Sequence, residues 1–370
     1  MGVEEELLLI DDGTGIPVPV APRLLASAPD HDLGSRVAAE FQQEMVEVQT
    51  LPRHSAHELL RDVIEGRAAV DALASRFKAR AVALAISPLP ITPHPTRNPR
   101  YDEMIERYGQ VGRTTLVCGL HVHVSIESRE EGVAVLDRIR TWLPTLLALS
   151  ANSPFANGFD TGFASYRFNA WHQWQSAGPS EVFGSADAYD AFERELLATD
   201  VIMDAGMLYL DARLSHRNPT VEVRVADVCL DARDTVLIAA LVRALADTAS
   251  AEWRAGIPPA AFSAAAIRLA EWQAALTGVG GRLPKPDGSG SAAAYVVVET
   301  LLRHVEAALA ANGDLASVEA GLRRVLVDGG GARQQRSAYA RRASLTDVMF
   351  RSVDVTHRRT DLSPTLLPLG

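Results

Sequence analysis

Lysine is almost absent from this chain of 370 residues, in which it occurs only at Lys78 and Lys285. Neither lysine lies in a GxxxxGK(S/T) motif, so a P-loop nucleotide site is excluded. No GxGxxG motif follows a predicted strand and opens a helix either. Any phosphate chemistry in this protein must therefore use arginine and metal ions.

Cysteine is equally scarce, since only Cys118 and Cys229 are present. Both lie in or beside predicted strands, so we expect buried thiols, no disulfide framework and a reducing cytoplasm. The first residues form an acidic strand without a basic region, which predicts no secretory signal. No apolar run reaches the roughly 18 residues of a membrane span. The net charge of −10 argues against nucleic acid or an acidic membrane as a partner.

The most informative stretch is Cys118–Ile126, CGLHVHVSI, in which polar residues occupy every second position. This is the period of a half-buried strand. The valines face one side, while His121 and His123 lie together on the other. A lone histidine is usually a satisfied polar side chain, so two on one face need partners to support a functional interpretation.

The N-terminal segment Gly2–Ile10, GVEEELLLI, is a second predicted strand. Glu4 and Glu6 share one face of it. Glu5 lies on the opposite face among apolar residues, which a simple amphipathic strand does not explain. Two carboxylates are thus available to a common polar face.

The segment Thr220–Asp227, TVEVRVAD, is a third such strand, with valines on one face and Glu222 and Arg224 on the other. Each strand alone is typical of the solvated face of an antiparallel sheet. If the three lie in one sheet with their valines buried together, the other face collects carboxylates, imidazoles and a guanidinium. Crowded carboxylates repel one another unless a cation lies among them, and oxygen-rich sites suit Mg²⁺ or Mn²⁺.

Other segments have recognisable local patterns. Ser55–Glu58 is a capping box that begins a helix predicted to run to about Ala79. The pattern of Glu40–Thr50 is compatible with strand or helix, and five prolines predict a loop or lid over 88–100. We also predict a helix over 133–150, a long functional loop over 151–167, strands over 81–87 and 207–214, and a hairpin joining 207–214 to Thr220–Asp227.

The composition changes after Asp231, where the chain becomes alanine-rich and helical as far as about Val327. A Gly/Pro/Ser linker is predicted at Gly278–Gly290. We therefore predict an α+β fold, with a mixed, mainly antiparallel sheet and helices packed on one side. Residues 1–243 would form the sheet domain with the polar face, and residues 244–370 a helical part packed on it as one compact unit.

Four motifs, in this order and spacing, resemble those of the glutamate–cysteine ligase type 2 family, whose members are described as carboxylate–amine ligases. They are GVEEE, CGLHVHV, LSANSPF with DTGFASYR, and PTVEVRVADV. The resemblance runs from Gly2 to about Arg243. It implies a glutamine-synthetase-like sheet, with ATP and Mg²⁺ or Mn²⁺ as cofactors. The implied reaction joins the γ-carboxylate of glutamate to an amine through an acyl phosphate.

The resemblance also implies roles for individual residues. Arg224 and Arg167 would be the catalytic residues, Arg224 holding the transferred phosphate and Arg167 contacting substrate or phosphate. Arg224, His123 and Asn152 would contact the nucleotide. The metal-facing residues would be Glu4, Glu6, Glu40, Glu47, His121 and Glu222.

The chain departs from the family pattern outside this face. Ser87 stands where the family usually has histidine, Ala270 where it has asparagine, and Arg333 where it has aspartate. Beside Ala270, Glu271 replaces an arginine. If these residues line the substrate site, we expect weak or absent glutamate–cysteine ligase activity. If they lie on the surface without touching substrate, the changes have no effect.

Two other functions fit the same polar face. A metal-dependent hydrolase or kinase could use these carboxylates with water or a hydroxyl as acceptor. A non-catalytic relative could bind a nucleotide or an amino acid. In each case we expect a cytoplasmic protein with small-molecule partners, here a carboxylic acid and an amine, and with no nucleic acid or membrane partner. A homo-oligomer is compatible with the sequence.

Overall fold

An antiparallel sheet of seven strands forms the centre of the computed structural model, which describes residues 1–28 and 36–358. Across the described residues, the strands of this sheet and of two smaller hairpins are β1 (Gly2–Asp11), β2 (Val37–Ala39), β3 (Met45–Gln49), β4 (Ala79–Val82), β5 (Gly119–Ser125), β6 (Phe155–Ala156), β7 (Phe159–Asp160), β8 (Ala212–Leu214), β9 (Thr220–Asp227), β10 (Arg282–Pro284) and β11 (Ser291–Ala293). The central sheet has the order β2-β3-β1-β5-β9-β8, and β4 pairs with the C-terminal half of β1. The pairs β6–β7 and β10–β11 are separate hairpins.

Helices make up most of the remaining regular structure. They are α1 (Ala21–Ala26), α2 (Ala56–Ser75), α3 (Pro99–Tyr108), α4 (Gln110–Thr114), α5 (Arg129–Ile139), α6 (Leu143–Ser150), α7 (Tyr166–Trp171), α8 (Ala186–Ala198), α9 (Ala232–Arg254), α10 (Ala264–Thr277), α11 (Ala294–Ala311), α12 (Leu315–Asp328), α13 (Gly330–Arg342) and α14 (Leu345–Thr356). Short 3₁₀ turns occur at Arg140–Trp142, Ala205–Met207 and Gly278–Gly280. Within the described ranges, no helix combines the length and apolarity that a membrane crossing requires.

The strand register sorts alternate residues onto two faces of the sheet. Val3 lies opposite Val122 across β1 and β5, and Val122 lies opposite Val223 across β5 and β9. These valines are buried in the main apolar core, to which α5, α6 and α9 contribute. Helices therefore cover one face, and the polar residues of the same strands turn to the other.

Glu5 is the exception on the helix-covered face. It is 2% exposed, and Arg67 of α2 reaches its two oxygens at 2.8 and 2.6 Å. Thr235 of α9 donates a further hydrogen bond of 2.6 Å. This buried, hydrogen-bonded ion pair explains why a glutamate interrupts the apolar face of β1.

The predicted boundary at residue 243 lies inside α9, which continues unbroken from Ala232 to Arg254. Val223 of β9 and Leu301 of α11 belong to the same buried apolar cluster, although they come from the two predicted parts. The two-part division stays a prediction. Residues 359–370 of the predicted helical part lie outside the described residues.

The structure confirms the α+β class, the β8–β9 hairpin and the helix start after Ser55, whose hydroxyl accepts from the Glu58 N–H at 3.3 Å. The ambiguous segment Glu40–Thr50 contains strand β3. Residues 88–98 contain no helix or named strand, as predicted, while Pro99 already begins α3. The predicted loop over 151–167 includes the small hairpin β6–β7 and the start of α7.

Several predicted boundaries are wrong. α2 ends at Ser75, because Lys78 has a positive φ of 56° that no helix can continue through, and β4 consequently begins at Ala79. The predicted helix 133–150 starts earlier, at Arg129, because Ser128 caps it, and a 3₁₀ turn divides it into α5 and α6. β8 covers only 212–214, and the predicted linker at 278–290 contains strand β10, which pairs with β11 just beyond it. Strand pairing decided the bounds of β8 and β10, and local sequence does not encode it, whereas the ends of α2 and α5 depend on local features at Lys78 and Ser128.

Candidate active site

A cavity of about 850 Å³ opens over the polar face of the sheet. β1, β3, β5 and β9 supply its floor, because their alternate residues point to this side. The structure brings eight of the predicted site residues to the cavity: Glu4, Glu6, Glu40, Glu47, His121, His123, Glu222 and Arg224. Arg167 and Asn152 are not among its lining residues.

The carboxylates of the floor face one another across the strands. Glu6 of β1 lies opposite Glu47 of β3, and Glu4 lies opposite His121 of β5. Three sets of side chains could each hold a metal ion, because within each set one nitrogen or oxygen atom per residue lies within 4.8 Å of the others. The sets are Glu4 with Glu47 and His121, Glu4 with His123 and Glu222, and Glu6 with Glu40 and Glu47. Neighbouring sets share a glutamate, so the donors form one continuous group.

The crowding of negative charge changes the acidity of these groups. Burial and the negative charge of Glu4 raise the pKa of Glu47 to about 7. Burial, together with the charges of Glu47 and Glu6, raises the pKa of Glu40 well above its usual range. A divalent cation would stabilise the ionised form of both groups, so this donor set fits a hard cation such as Mg²⁺ or Mn²⁺.

Two histidines stabilise the Glu4 carboxylate. Nδ1 of His121 lies 3.3 Å from one of its oxygens, and Nε2 of His123 lies 3.4 Å from the other. Burial opposes ionisation of Glu4, but the two histidines hold its pKa below the usual range. Desolvation, and then the charge of Arg224, lowers the pKa of His121, so its neutral ring keeps a lone pair that can bind a metal ion.

The other half of the floor is cationic. Arg213 of β8 lies opposite Glu222 and contacts its two oxygens at 2.9 and 3.3 Å, and Arg224 donates to the same carboxylate. Burial opposes ionisation of Glu222, but the two guanidinium groups hold its pKa below the usual range. The Nε atom of Arg224 is buried without a hydrogen-bond partner among the described residues. This guanidinium therefore retains a donor that could reach an anionic ligand.

Two residues of the floor were not predicted from the sequence. Arg213 pairs with Glu222, and Gln49 donates to Glu47 at 2.6 Å. The predicted β8–β9 hairpin contained the signal for Arg213, because its register sets opposite charges side by side across the two strands. Gln49 follows Glu47 by two residues in β3 and thus shares its face.

Arg167 occupies a different place from the one predicted. It is 3% exposed, and its guanidinium lies 3.4 Å from the backbone carbonyls of Arg224 and Val225. It packs beside Gly119, where any side chain would collide with it, and over the ring of Trp171 at 5.8 Å. Arg167 therefore supports the strand that carries Arg224 and does not line the cavity.

Asn152 is also outside the cavity, buried at 1% exposure. Its amide donates to the carbonyls of Ala83 and Val228 at 2.9 and 2.8 Å, and its oxygen accepts from Gln335 at 2.7 Å. All of its side-chain hydrogen bonds are thus made within the protein. This placement gives no support to the predicted nucleotide contact, and we assign Asn152 to holding the chain segments behind the sheet together.

The side walls of the cavity are aromatic at one end. Edge-to-face contacts link Phe41 with Tyr101 and with Trp174, at ring separations of 5.0 and 6.1 Å. Trp174 contacts Tyr209 in the same way, and Trp171 completes the wall. These residues come from loops, α3 and α7, and no local periodicity in the sequence connects them.

None of the three departures from the family pattern lines the cavity. Ser87 donates to the Leu89 carbonyl at 2.8 Å, Ala270 is buried in α10, and Arg333 is exposed and donates to a helix carbonyl at 3.0 Å. The argument that these positions form substrate walls is therefore wrong, since each has a structural environment away from the cavity.

The sheet and the cavity define an antiparallel α+β protein with carboxylates, imidazoles and guanidinium groups on one open face. The chain belongs to the glutamate–cysteine ligase family 2, whose family model matches residues 1–353. This confirms the resemblance drawn from the sequence motifs and extends it through the helical part.

Similar proteins support this membership. A protein of Paenarthrobacter aurescens named "Putative glutamate–cysteine ligase 2-1" is 49% identical over 362 residues, covering 96% of this chain and 94% of its own length. A Streptomyces coelicolor protein named "Putative glutamate–cysteine ligase 2" is 48% identical over 350 residues, with coverages of 94% and 96%.

Solved structures share the fold at low sequence identity. The crystal structure of glutamate–cysteine ligase from Francisella tularensis in complex with AMP has a TM-score of 0.68 and 15% identity, with coverage of 98% of this chain and 89% of that one. A bifunctional glutathione synthetase from Pasteurella multocida also gives 0.68, at 14% identity and 96% coverage of this chain. The match spans about half of that longer protein, 52% of its chain.

Proposed function

We propose that this protein is an ATP-dependent carboxylate–amine ligase, which forms an amide through an acyl phosphate. The observation that supports this most is the division of the cavity floor into a carboxylate and imidazole half and an arginine half. A reaction on ATP needs both, because phosphoryl transfer depends on positioning and on neutralising spread negative charge. The structurally similar Francisella ligase was solved in complex with AMP, which is consistent with nucleotide binding by a protein of this fold.

Glu4, Glu6, Glu40, Glu47, His121 and Glu222 would hold Mg²⁺ or Mn²⁺ in this proposal. Such an ion would supply positive charge that neutralises the charge developing on a phosphate group. The chain's own contribution is to keep several carboxylates within reach of one another, at a separation below 4.8 Å. Glu222 is shared with Arg213 and Arg224, so it also couples the metal-facing half to the arginine half.

Arg224 is the residue proposed to contact the transferred phosphate. Its free Nε–H and its position on the floor suit an anion in the cavity, and a planar guanidinium fork matches phosphate oxygens. Arg167 acts as a positioning residue, since it contacts the carbonyl of Arg224 from behind. His123 lines the cavity and is the remaining proposed nucleotide contact.

The chemistry proceeds in two steps. A carboxylate oxygen of the acid attacks the γ-phosphorus of ATP, and ADP leaves. The amine then attacks the acyl phosphate carbon, inorganic phosphate leaves, and the nitrogen loses a proton. We propose the γ-carboxylate of glutamate as the acid, following the family. Weak or absent activity with cysteine as the amine stays a prediction from the sequence pattern alone, because none of the departing residues lines the cavity.

The test is an ADP-release screen in which amino acids are paired with amines, each also assayed alone. The ligase proposal expects ADP and phosphate release that requires both partners, with a new amide detected by mass spectrometry. Glu222→Gln, which keeps the side-chain shape, should fold normally and lose most turnover. Hydrolysis without ATP would favour the hydrolase alternative, and nucleotide binding without turnover would favour a non-catalytic relative.

The substrate part has its own measurement, the kcat/KM for glutamate plus cysteine against other acid and amine pairs. If glutamate plus cysteine is the best pair, with kcat/KM of about 10⁴ M⁻¹s⁻¹ or above, the expectation of weak activity with cysteine is wrong. The ligase assignment itself would survive that outcome.

A further inference from the structure

A second group of acid and imidazole side chains lies outside the cavity. His172 follows α7, Asp211 precedes β8, and Glu271 lies in α10. One donor atom from each lies within 4.8 Å of the other two. Asp211 and Glu271 are 2% and 0% exposed, and none of the three residues lines the cavity over the sheet. Three separate elements therefore bring charged and polar side chains together in the interior.

The buried atoms of this group that could bind a metal ion lack hydrogen-bond partners. Both oxygens of Glu271, Oδ2 of Asp211 and Nε2 of His172 have none within the part of the chain that the structure describes. A buried carboxylate without a partner is strongly unfavourable. Arg268 lies nearby on α10, but it is exposed and forms no ion pair with either acid in the described ranges. Four polar atoms of this buried group are therefore without a hydrogen-bond partner among the described residues.

The orientation of His172 is that of a metal-binding histidine. Its Nδ1 lies 2.7 Å from the Phe168 carbonyl, which can only accept, so Nδ1 carries the hydrogen and Nε2 carries the lone pair. Burial lowers the pKa of His172 to about 4, which keeps the ring neutral at pH 7. A backbone carbonyl that fixes the ring in this way is the usual support behind a metal-ligating histidine.

We propose that His172, Asp211 and Glu271 form a second metal site, which binds a divalent transition-metal ion of the Zn²⁺ type. One imidazole nitrogen and two carboxylates are a common zinc donor set, and water supplies the fourth position. Mg²⁺ fits less well, because it prefers an all-oxygen ligand set and keeps several waters. Two carboxylates balance the charge of the ion.

The site connects the two arginines beside the cavity. His172 directly follows α7, the helix that carries Arg167, and the Asp211 carbonyl accepts from the Arg224 N–H at 2.8 Å. A bound ion would therefore fix α7 against β8 and β9. Its existence does not depend on the proposed ligase activity, because ion binding is measured without ATP.

Two rival arrangements would satisfy the same acids. Asp211 and Glu271 are close enough to share one proton, and burial raises the pKa of Asp211 to about 7. Alternatively, the Arg268 side chain could turn inward and pair with them. Neither rival needs His172, and neither predicts binding of a metal ion.

The experiment is Zn²⁺ titration of the full-length, chelator-stripped protein against a chromophoric chelator, in excess Mg²⁺ to saturate the cavity. We expect one tight Zn²⁺ equivalent per chain. Glu271→Gln, which keeps the shape, and His172→Gln should each weaken it by roughly 100-fold or more. Glu47→Gln is the matched control, because it removes one carboxylate from the cavity and leaves the second group intact. Co²⁺ in place of zinc should give a visible absorption band that Glu271→Gln abolishes.

The outcomes separate the alternatives. Absence of a tight equivalent overturns the proposal, as does zinc binding that falls in Glu47→Gln and is unchanged in Glu271→Gln. Arg268→Ala removes a positive charge nearby, so zinc binding should be retained or strengthened. If Glu271→Gln does not fold, His172→Gln gives the same test at a half-buried position. Ligase turnover is assayed separately, so failure of one proposal leaves the other untouched.

Discussion

The sheet carries a glutamate–arginine pair on each face, and the two pairs differ in how completely they are satisfied. On the helix-covered face, Arg67 donates to both oxygens of Glu5 and to the carbonyls of Cys229 and Leu230. On the open face, Arg224 shares Glu222 with Arg213, and its Nε has no partner among the described residues. The first pair is closed, and the second is open to a ligand.

Burial does not distinguish the two pairs. Glu5 and Glu222 are 2% and 3% exposed, and Arg67 and Arg224 are 1% and 8% exposed. Unused hydrogen-bonding capacity is what separates them, together with the cavity beside Glu222 and Arg224. A buried ion pair whose donor atoms are all used is a structural element, whereas one with an unpaired donor atom beside a cavity is a candidate site.

The largest expected effect is on the closed pair. Arg67→Met leaves Glu5 as a buried charge without its partner, so we expect a loss of about 3–5 kcal/mol in the free energy of unfolding. Urea unfolding measures it. The double variant Glu5→Gln with Arg67→Met should recover part of the loss, because no charge then remains unpaired. A loss below about 1 kcal/mol in the single variant would show that the closed pair is not structural in this sense.

For the open pair, Glu222 with Arg224, we expect the main effect on the rate of catalysis. Arg224→Lys keeps the charge but loses the planar fork, so we expect kcat to fall by about 10²–10³-fold, nearly as far as in Arg224→Ala. Stability should change less than in Arg67→Met, since Arg213 still pairs with Glu222. A change confined to KM would mean uniform binding, and it would remove Arg224 from the phosphoryl-transfer step.

The carboxylate half of the cavity floor gives a third comparison with the closed pair, Glu5 with Arg67. Glu47→Gln keeps the side-chain shape and its contact with Gln49 but removes one charge from the group around Glu4 and Glu6. We expect ATP turnover to fall by about 100-fold while folding is retained, in contrast to Arg67→Met. Turnover assays over a range of Mg²⁺ concentrations measure the loss. Parental turnover at every concentration would exclude Glu47 from metal binding.

The two faces of the sheet were readable from the sequence, because alternation is a local property of each strand. It assigned Glu4, Glu6, His121 and Glu222 to one face without knowledge of the strand order. The strand pattern shows the separate place of Glu5 but does not indicate Arg67 as its partner, since the two are 62 positions apart in the chain. Long-range pairing of this kind depends on helix packing, which periodicity does not encode.

Residues in loops were the least predictable. Asn152 was assigned to the nucleotide from its motif, yet it bonds Gln335, which is 183 residues away. Arg167 was placed near substrate, but the turn into α7 buries it behind Arg224. Glu271 was noticed only as a departure in charge from the family pattern. The structure gives it a physical setting, beside Asp211 in the interior.

The smallest expected effect is the pH dependence of the open face in metal-free protein. Because burial and Glu4 raise the pKa of Glu47 to about 7, ionisation of Glu47 opposes folding. Its stabilising contribution is present below about pH 4.5, the ordinary glutamate value, and is lost as the pH rises through about 7. The lost part is about 1–3 kcal/mol. The measured quantity is the difference in unfolding free energy between the parent and Glu47→Gln, from pH 4 to 8, since carboxylates distant from Glu47 cancel in that difference. The parent should lose stability relative to the variant over this range, and saturating Mg²⁺ should remove the slope. If this difference in unfolding free energy does not change with pH when a chelator is present, Glu47 ionises without opposition. The open face would then contain no electrostatic repulsion for a cation to relieve.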